Sequence, residues 1–269
     1  MRLLIRAMKI YIMTDMEGVS GIRRWDECVP THARYQDARA FMAGDINAAI
    51  AGAFDGGATD VLVNDSHYGG FNLPIEKMDP RARYCENNGI RALLGRLDSS
   101  FNGYFAVGFH AMAGVLHAFL DHTQSIDSVF GYSINGKQYG ELGQQAILAG
   151  AAGVPQLLVT GDKAACNEGL ALTAGIETAV VKEAYGREKV DCLHPLRAQE
   201  MIRAAAKRAV GLAGKLKPFM LAPPYDVRLT FTRTDYADIA WRSRPWLERV
   251  DGRTVRFVTE DVQKILAVF

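Results

Sequence analysis

Apolar residues in this chain fall into two kinds of run. Short continuous ones stop abruptly at polar side chains: Ile10-Tyr11-Ile12-Met13 before Thr14-Asp15-Met16-Glu17-Gly18, Val61-Leu62-Val63 before Asn64-Asp65-Ser66-His67, and Phe105-Ala106-Val107-Gly108-Phe109 before His110. Unbroken apolar runs of this length are typical of strands covered on both faces. Longer stretches place apolar residues at helical spacing, as in residues 35–56 with Phe41, Met42, Ile46, Ala49, Ile50, Ala53 and Phe54, closed by Gly56-Gly57. Residues 9–64 therefore read as a βαβ unit with parallel pairing and a right-handed crossover.

The alternation continues. Residues 67–98 are loop-rich, with Asp79-Pro80 as a turn signal and a strand or short helix that the pattern does not position. Tyr104 to Phe109 is the third strand, and residues 111–125, which mix glycine, histidine and aromatics without a period, read as a loop over a site. Val129–Ile134 and Lys137–Tyr139 flank Asn135-Gly136, a strong hairpin signal. A helix from Glu141, a strand over 156–160, a helix over 164–172, a strand over 178–182 and a long helix over 195–213 follow. After Lys215 the pattern changes: Pro218 and Pro223-Pro224 punctuate strands at 227–232 and 254–259 and short helices at 236–241 and 261–268. The predicted fold is α/β, a mostly parallel central sheet flanked by helices, with a smaller C-terminal α+β portion. The expected division is an N-terminal extension over 1–7, an α/β metal-binding domain over 8–214 and the smaller portion over 215–269.

Composition narrows the partners. The 269 residues carry a formal net charge of +1 with 23% charged side chains, which gives no electrostatic hold on nucleic acid or a membrane surface. Cys28, Cys85, Cys166 and Cys192 form neither a CxxC pair nor a dense framework, so they read as reduced thiols in the cytoplasm. No run reaches the ~18 apolar residues of a membrane helix.

In a parallel α/β sheet the carboxyl ends of the strands open onto the ligand crevice. Residues two apart on a strand share a face, so Asp15 with Glu17, and Asp65 with His67, can each present two donors together. His110 ends the third strand. Any one of these acids alone is better explained as a cap or an ion pair; the repeated pattern points to carboxylate and imidazole ligation of zinc, manganese or cobalt. Four of the six histidines, His67, His110, His117 and His122, cluster along the chain. His117 reads as a core histidine bonded to a carbonyl, and His122, beside Asp121, as a general base or donor. Asn64, Asp162 and Lys182 also end strands, and read as caps and surface pairs.

Thr14-Asp15-Met16-Glu17-Gly18, Val63-Asn64-Asp65-Ser66-His67, Gly108-Phe109-His110-Ala111 and Tyr139-Gly140-Glu141-Leu142-Gly143 resemble, in order and approximate spacing, the successive signatures of the zinc-dependent D-aminopeptidases of the DppA type. The resemblance covers most of the chain from Met8 and is densest up to Gly143. It implies two Zn2+ ions per subunit, with Asp15 bridging them, Glu17 and His67 completing one side and His110 and Glu141 the other. It also implies His122 as catalytic residue, with His117 a second candidate because the loop between His110 and Glu141 varies in length. Asp65, a ligand by spacing, becomes by resemblance an acid that braces a ligand loop. Gln144-Gln145 stand where the family leads one to expect an asparagine. The implied activity is metal-dependent removal of an N-terminal residue, a D-amino acid such as D-alanine, from short peptides, in a homo-oligomer such as a decameric ring. No motif reports chirality. The alternatives are a dinuclear phosphoesterase or other amidohydrolase, against which stands the lack of a Gly-rich phosphate loop or arginine cluster, and a non-catalytic peptide- or metal-binding module.

Overall fold

The computed structural model describes residues 7–86 and 94–269. Its main sheet has seven strands in the order β3-β2-β1-β4-β7-β8-β9. These are β1 (Lys9–Thr14), β2 (Asp60–Asp65), β3 (Arg83–Glu86), β4 (Gly103–Phe109), β7 (Gln156–Asp162), β8 (Glu177–Gly186) and β9 (Lys189–Cys192). All neighbours pair in parallel except β8 with β9. The expected strands at 10–13, 60–64, 104–109, 156–160 and 178–182 are all present. β9 is the addition: its alternating polar residues at the sheet edge lack an apolar run to announce them.

Alternation along the strands divides the core. Ile10 and Ile12 of β1 and Phe105 and Val107 of β4 join one buried cluster, built on α1 (Tyr35–Asp55) and α4 (Pro195–Val210). Tyr11, Met13, Tyr104 and Ala106 face the other way, into a cluster with α2 (Glu141–Ala151), α3 (Lys163–Leu172) and a second sheet. Both faces are covered, which is why the strands read as unbroken apolar runs. Helices α1 and α4 pack closely: a Cβ on Gly52 would lie 2.3 Å from the Arg203 carbonyl oxygen.

The second sheet has five strands in the order β11-β12-β10-β5-β6. It comprises β5 (Val129–Ile134), β6 (Lys137–Gln138), β10 (Tyr225–Phe231), β11 (Glu248–Arg249) and β12 (Thr254–Thr259), with α5 (Thr234–Ser243) packed on it. Asn135 and Gly136 take φ of 51° and 79°, the positive values that a two-residue hairpin of type I′ requires. Strand β5 pairs with β10, so this sheet draws strands from both sides of residue 214. The expected helix over 261–268 is reduced to a 3-10 turn at Val262–Lys264, and α4 ends at Val210 rather than 213. Trp241 and Trp246 are half-exposed. Among the described residues no helix is long and apolar enough to cross a membrane.

The sheet order reverses between β1 and β4. The chain adds β2 and β3 on one side of β1 and everything later on the other, so the crevice beyond the carboxyl ends of β1 and β4 is the topological switch point. Asp15 and His110 follow those two strands directly.

Candidate metal centre and cleft

Two glycines seat the turn that carries Asp15 and Glu17. A Cβ on Gly18 would lie 2.1 Å from the Phe109 carbonyl oxygen, and Gly108, at φ 81°, has its own Cβ position 2.4 Å from the Asp15 carbonyl oxygen. With neither side chain present, Asp15 N–H donates to Val107 O (2.9 Å) and Gly18 N–H to Gly108 O (2.8 Å). The β1 turn is thereby laid against the end of β4.

The ligand atoms converge. His67 Nδ1 lies 3.2 Å from Asp15 Oδ1 and 3.3 Å from Glu17 Oε2. On the other side, His110 Nε2 lies 3.3 Å from Asp15 Oδ2 and 3.6 Å from Glu141 Oε1, and His122 Nε2 lies 3.8 Å from the same Glu141 oxygen. The two oxygens of Asp15 thus face two different histidines. Each imidazole is held from behind by a backbone carbonyl: His67 Nε2 by Cys28 O (2.9 Å), His110 Nδ1 by Ala111 O (2.9 Å) and His122 Nδ1 by Leu120 O (2.8 Å). With a metal bound, each neutral ring would keep its proton on the carbonyl-bonded nitrogen and offer the lone pair of the other to the ion.

Electrostatics show what the cluster lacks. Burial, with Glu17 beside it, pushes the Asp15 carboxyl up to about 7. Burial also works against charge on Glu17, His67 and His110, yet attraction between acids and imidazoles outweighs it, from His67 on Glu17, from Glu17 on His67 and first from Glu141 on His110: Glu17 lies well below the carboxylate range and both histidines well above the imidazole range. Without a metal, the imidazoles are the cations these acids have. Even so, Asp15 Oδ2, Glu17 Oε2 and His110 Nε2 are buried with no hydrogen-bond partner. Such orphaned polar atoms are costly, and a cation among them removes the cost. Donor atoms of Asp15, Glu17 and His110 lie within 4.8 Å of one another, as do those of His110, His122 and Glu141. The carboxylate and imidazole set fits zinc.

Asp65 points elsewhere. Its Oδ2 accepts from Asn72 N (2.6 Å) and Leu73 N (3.2 Å), and its Oδ1 from Asn72 Nδ2 (2.8 Å). Asn72 in turn bonds the His67 carbonyl and the Tyr35 hydroxyl. This knot fixes the loop behind His67, the bracing role that the resemblance implied.

The site opens into a cleft of about 430 Å³ lined by Trp25, Tyr68, His122, Gln124 and Asp127 among others. His122 stacks on His110 with ring centroids 3.8 Å apart. His117 is exposed, at φ 55°, and outside the cleft lining, so it is not the core histidine expected. Asp121 is turned away from His122 and pairs with Arg187 at 2.6 Å. Gln144 and Gln124 escaped sequence reasoning in this role: Gln124 N donates to Glu141 Oε1 (2.8 Å) and Gln124 Nε2 to Gln144 Oε1 (2.8 Å), tying the loop to α2. Asp162 is a cap, accepting from Ala165 N at the start of α3. Lys182 is no surface pair, being buried at 2% exposure.

Comparison with known proteins gives the family. The D-aminopeptidase family model, peptidase M55, matches residues 8–269. The chain belongs to the D-aminopeptidase family. It is therefore a peptide hydrolase by descent. The D-aminopeptidase of Bacillus subtilis (strain 168) is 35% identical over 260 residues, 95% of this chain and 93% of that one. The solved structure of the Zn-dependent D-aminopeptidase DppA from Bacillus subtilis, a self-compartmentalizing protease, superposes with a TM-score of 0.92 at 32% identity, over 97% of this D-aminopeptidase family member and 95% of the other chain.

Proposed function

We propose that this protein is a zinc-dependent aminopeptidase that removes an N-terminal D-amino acid, such as D-alanine, from short peptides. The observation that carries the reading is the buried group of Asp15, Glu17 and His110 with unpartnered donor atoms at the sheet's switch point. Two ions fit the geometry better than one. Asp15 offers one oxygen to the His67 and Glu17 side and the other to the His110 and Glu141 side, the arrangement of a bridging carboxylate. Bound zinc supplies an acidified water and polarisation of the scissile carbonyl.

His122 handles the proton. Its Nδ1–H is committed to Leu120 O, so Nε2 presents its lone pair to the cleft. Burial, and then His110, hold the ring below the ordinary imidazole range, which keeps Nε2 free to take a proton and pass it to the leaving amine. A cleft of about 430 Å³ accommodates a short peptide rather than a folded chain. Among the described residues no lysine or arginine lines it, which disfavours a phosphoester substrate. The kinship with a self-compartmentalizing protease supports a homo-oligomer, which we take as a decameric ring. The four free cysteines support a cytoplasmic setting.

Elemental analysis of purified protein, paired with release of the N-terminal residue from D- and L-alanyl peptides before and after chelation, tests the reading. About two zinc ions per chain and chelator-sensitive release from the D-peptides are expected. Peptide release that survives complete metal removal overturns it.

A further inference from the structure

Lys182 is an unusual residue to find at the centre of this molecule. Its side chain is 2% exposed, yet among the described residues it makes no ion pair. A buried ammonium is costly unless donors and field are arranged for it. Here Nζ donates to Glu17 O at 2.8 Å and to Ile22 O at 2.7 Å, and it sits 4.5 Å from the centre of the Phe119 ring. Two hydrogen bonds and a ring face thus take up the charge.

The partners belong to the two halves of the site. Glu17 and Ile22 bound the turn that follows β1 and carries one carboxylate ligand. Phe119 lies next to Leu120, whose carbonyl fixes the His122 ring at 2.8 Å. Phe119 is gripped a second time, because its N–H donates to Asp162 Oδ2 at 2.9 Å. Asp162 and Lys182 are register partners on β7 and β8, so neighbouring strands hold the same residue of the loop, one by its amide and one by its ring. Asp45 of α1 receives Ser20 N–H (2.8 Å) and completes the turn's anchorage.

We infer that Lys182 is a positioning residue that ties the Glu17 turn to the His122 loop, setting the metal-facing carboxylate and the proton-handling imidazole in one frame. The inference rests on the metal reading above. Nothing in Lys182 touches substrate. Its ammonium acts through a backbone carbonyl on one side and an aromatic ring on the other, and a neutral side chain of similar length supplies neither.

Full-length K182M tests this. Methionine keeps the bulk and leaves Glu17 O and Ile22 O without their donor. The wild-type and variant proteins are loaded with Co2+, their visible absorption recorded, and the ion competed away with a chelator of known affinity. The expected result is cobalt binding weaker by about 10- to 100-fold, a shifted absorption band and an unchanged far-ultraviolet circular dichroism spectrum. Equal affinity and an identical band in K182M, whatever its melting temperature, overturn the inference and leave the metal reading standing. Wild-type protein that takes up no cobalt overturns the metal reading and the inference with it. If K182M does not fold, F119L decides. It keeps both carbonyl bonds and removes the ring, so kcat is expected to drop by about tenfold or more with cobalt affinity and KM unchanged; unaltered kcat overturns the tie.

Discussion

Asp15 and Asp65 follow or end neighbouring parallel strands, are buried to nearly the same degree, and have opposite fates. Asp65 has its two oxygens saturated by the Asn72 and Leu73 amides. Asp15 keeps Oδ2 unpartnered, facing His110. A saturated buried acid is part of the scaffold, because its charge is already neutralised by fixed dipoles. An unsaturated one keeps its charge available for something not made of this chain. The same distinction separates the carbonyl-bonded Nδ1 of His110 from its unpartnered Nε2.

The largest effect is expected at His122, whose Nε2 faces the cleft while Nδ1 is held by Leu120 O. H122A is expected to lower kcat by about 10²- to 10⁴-fold while elemental analysis still finds zinc. Zinc lost in step with activity would make His122 a ligand instead. A pH effect comes next, at a third buried acid on the scaffold side. Asp45 receives both Ser20 N and Ser20 Oγ, yet burial still pushes its carboxyl up to about 6 from the ordinary 3.8. The folded state holds the proton longer than the unfolded one, so stability falls as pH rises through that window and levels off above it. The difference between wild type and D45N in urea unfolding should change by about 2 kcal/mol between pH 4 and pH 7 in that direction.

Smaller effects of opposite sign test Asp65 and Asp15 against each other in metal-free protein. D65N turns an amide group onto donors, and is expected to cost about 1–3 kcal/mol by chemical unfolding, with zinc binding weakened as His67 loosens. D15N keeps an oxygen for Met16 N, which now bonds Asp15 Oδ1 at 2.9 Å, and removes a buried carboxyl whose charge burial and the neighbouring Glu17 oppose. It is expected to stabilise the metal-free chain by about 1 kcal/mol while abolishing zinc uptake. Destabilisation by both substitutions would erase the distinction.

Much of this was legible in the chain. The strands ending at Thr14, Asp65 and Phe109 announce themselves because both faces of the sheet are buried, and Asn135-Gly136 forces its hairpin through positive φ. The edge strand β9 and the frayed helix at 261–268 were not legible, since neither carries a periodic apolar signal strong enough to outweigh its polar residues. The family resemblance pointed to Asp15, Glu17, His67, His110, His122 and Glu141, which the structure gathers at one site, and residue type with strand-end position told which chemistry they offer.

What the sequence could not determine was which buried polar residues are satisfied. Asp65 and Asp15 sit in similar strings of letters, His117 and His122 lie five residues apart on one loop, and Lys182 ends its apolar run as a surface lysine does. Their roles were decided by contacts across the fold: Asn72 folding back on Asp65, Leu120 turning its carbonyl to His122, and β8 carrying Lys182 beneath the Glu17 turn. Local propensity and periodicity act along the chain and so can be read from it. Saturation of a donor or acceptor depends on atoms brought from distant segments, and only the packed structure supplies them.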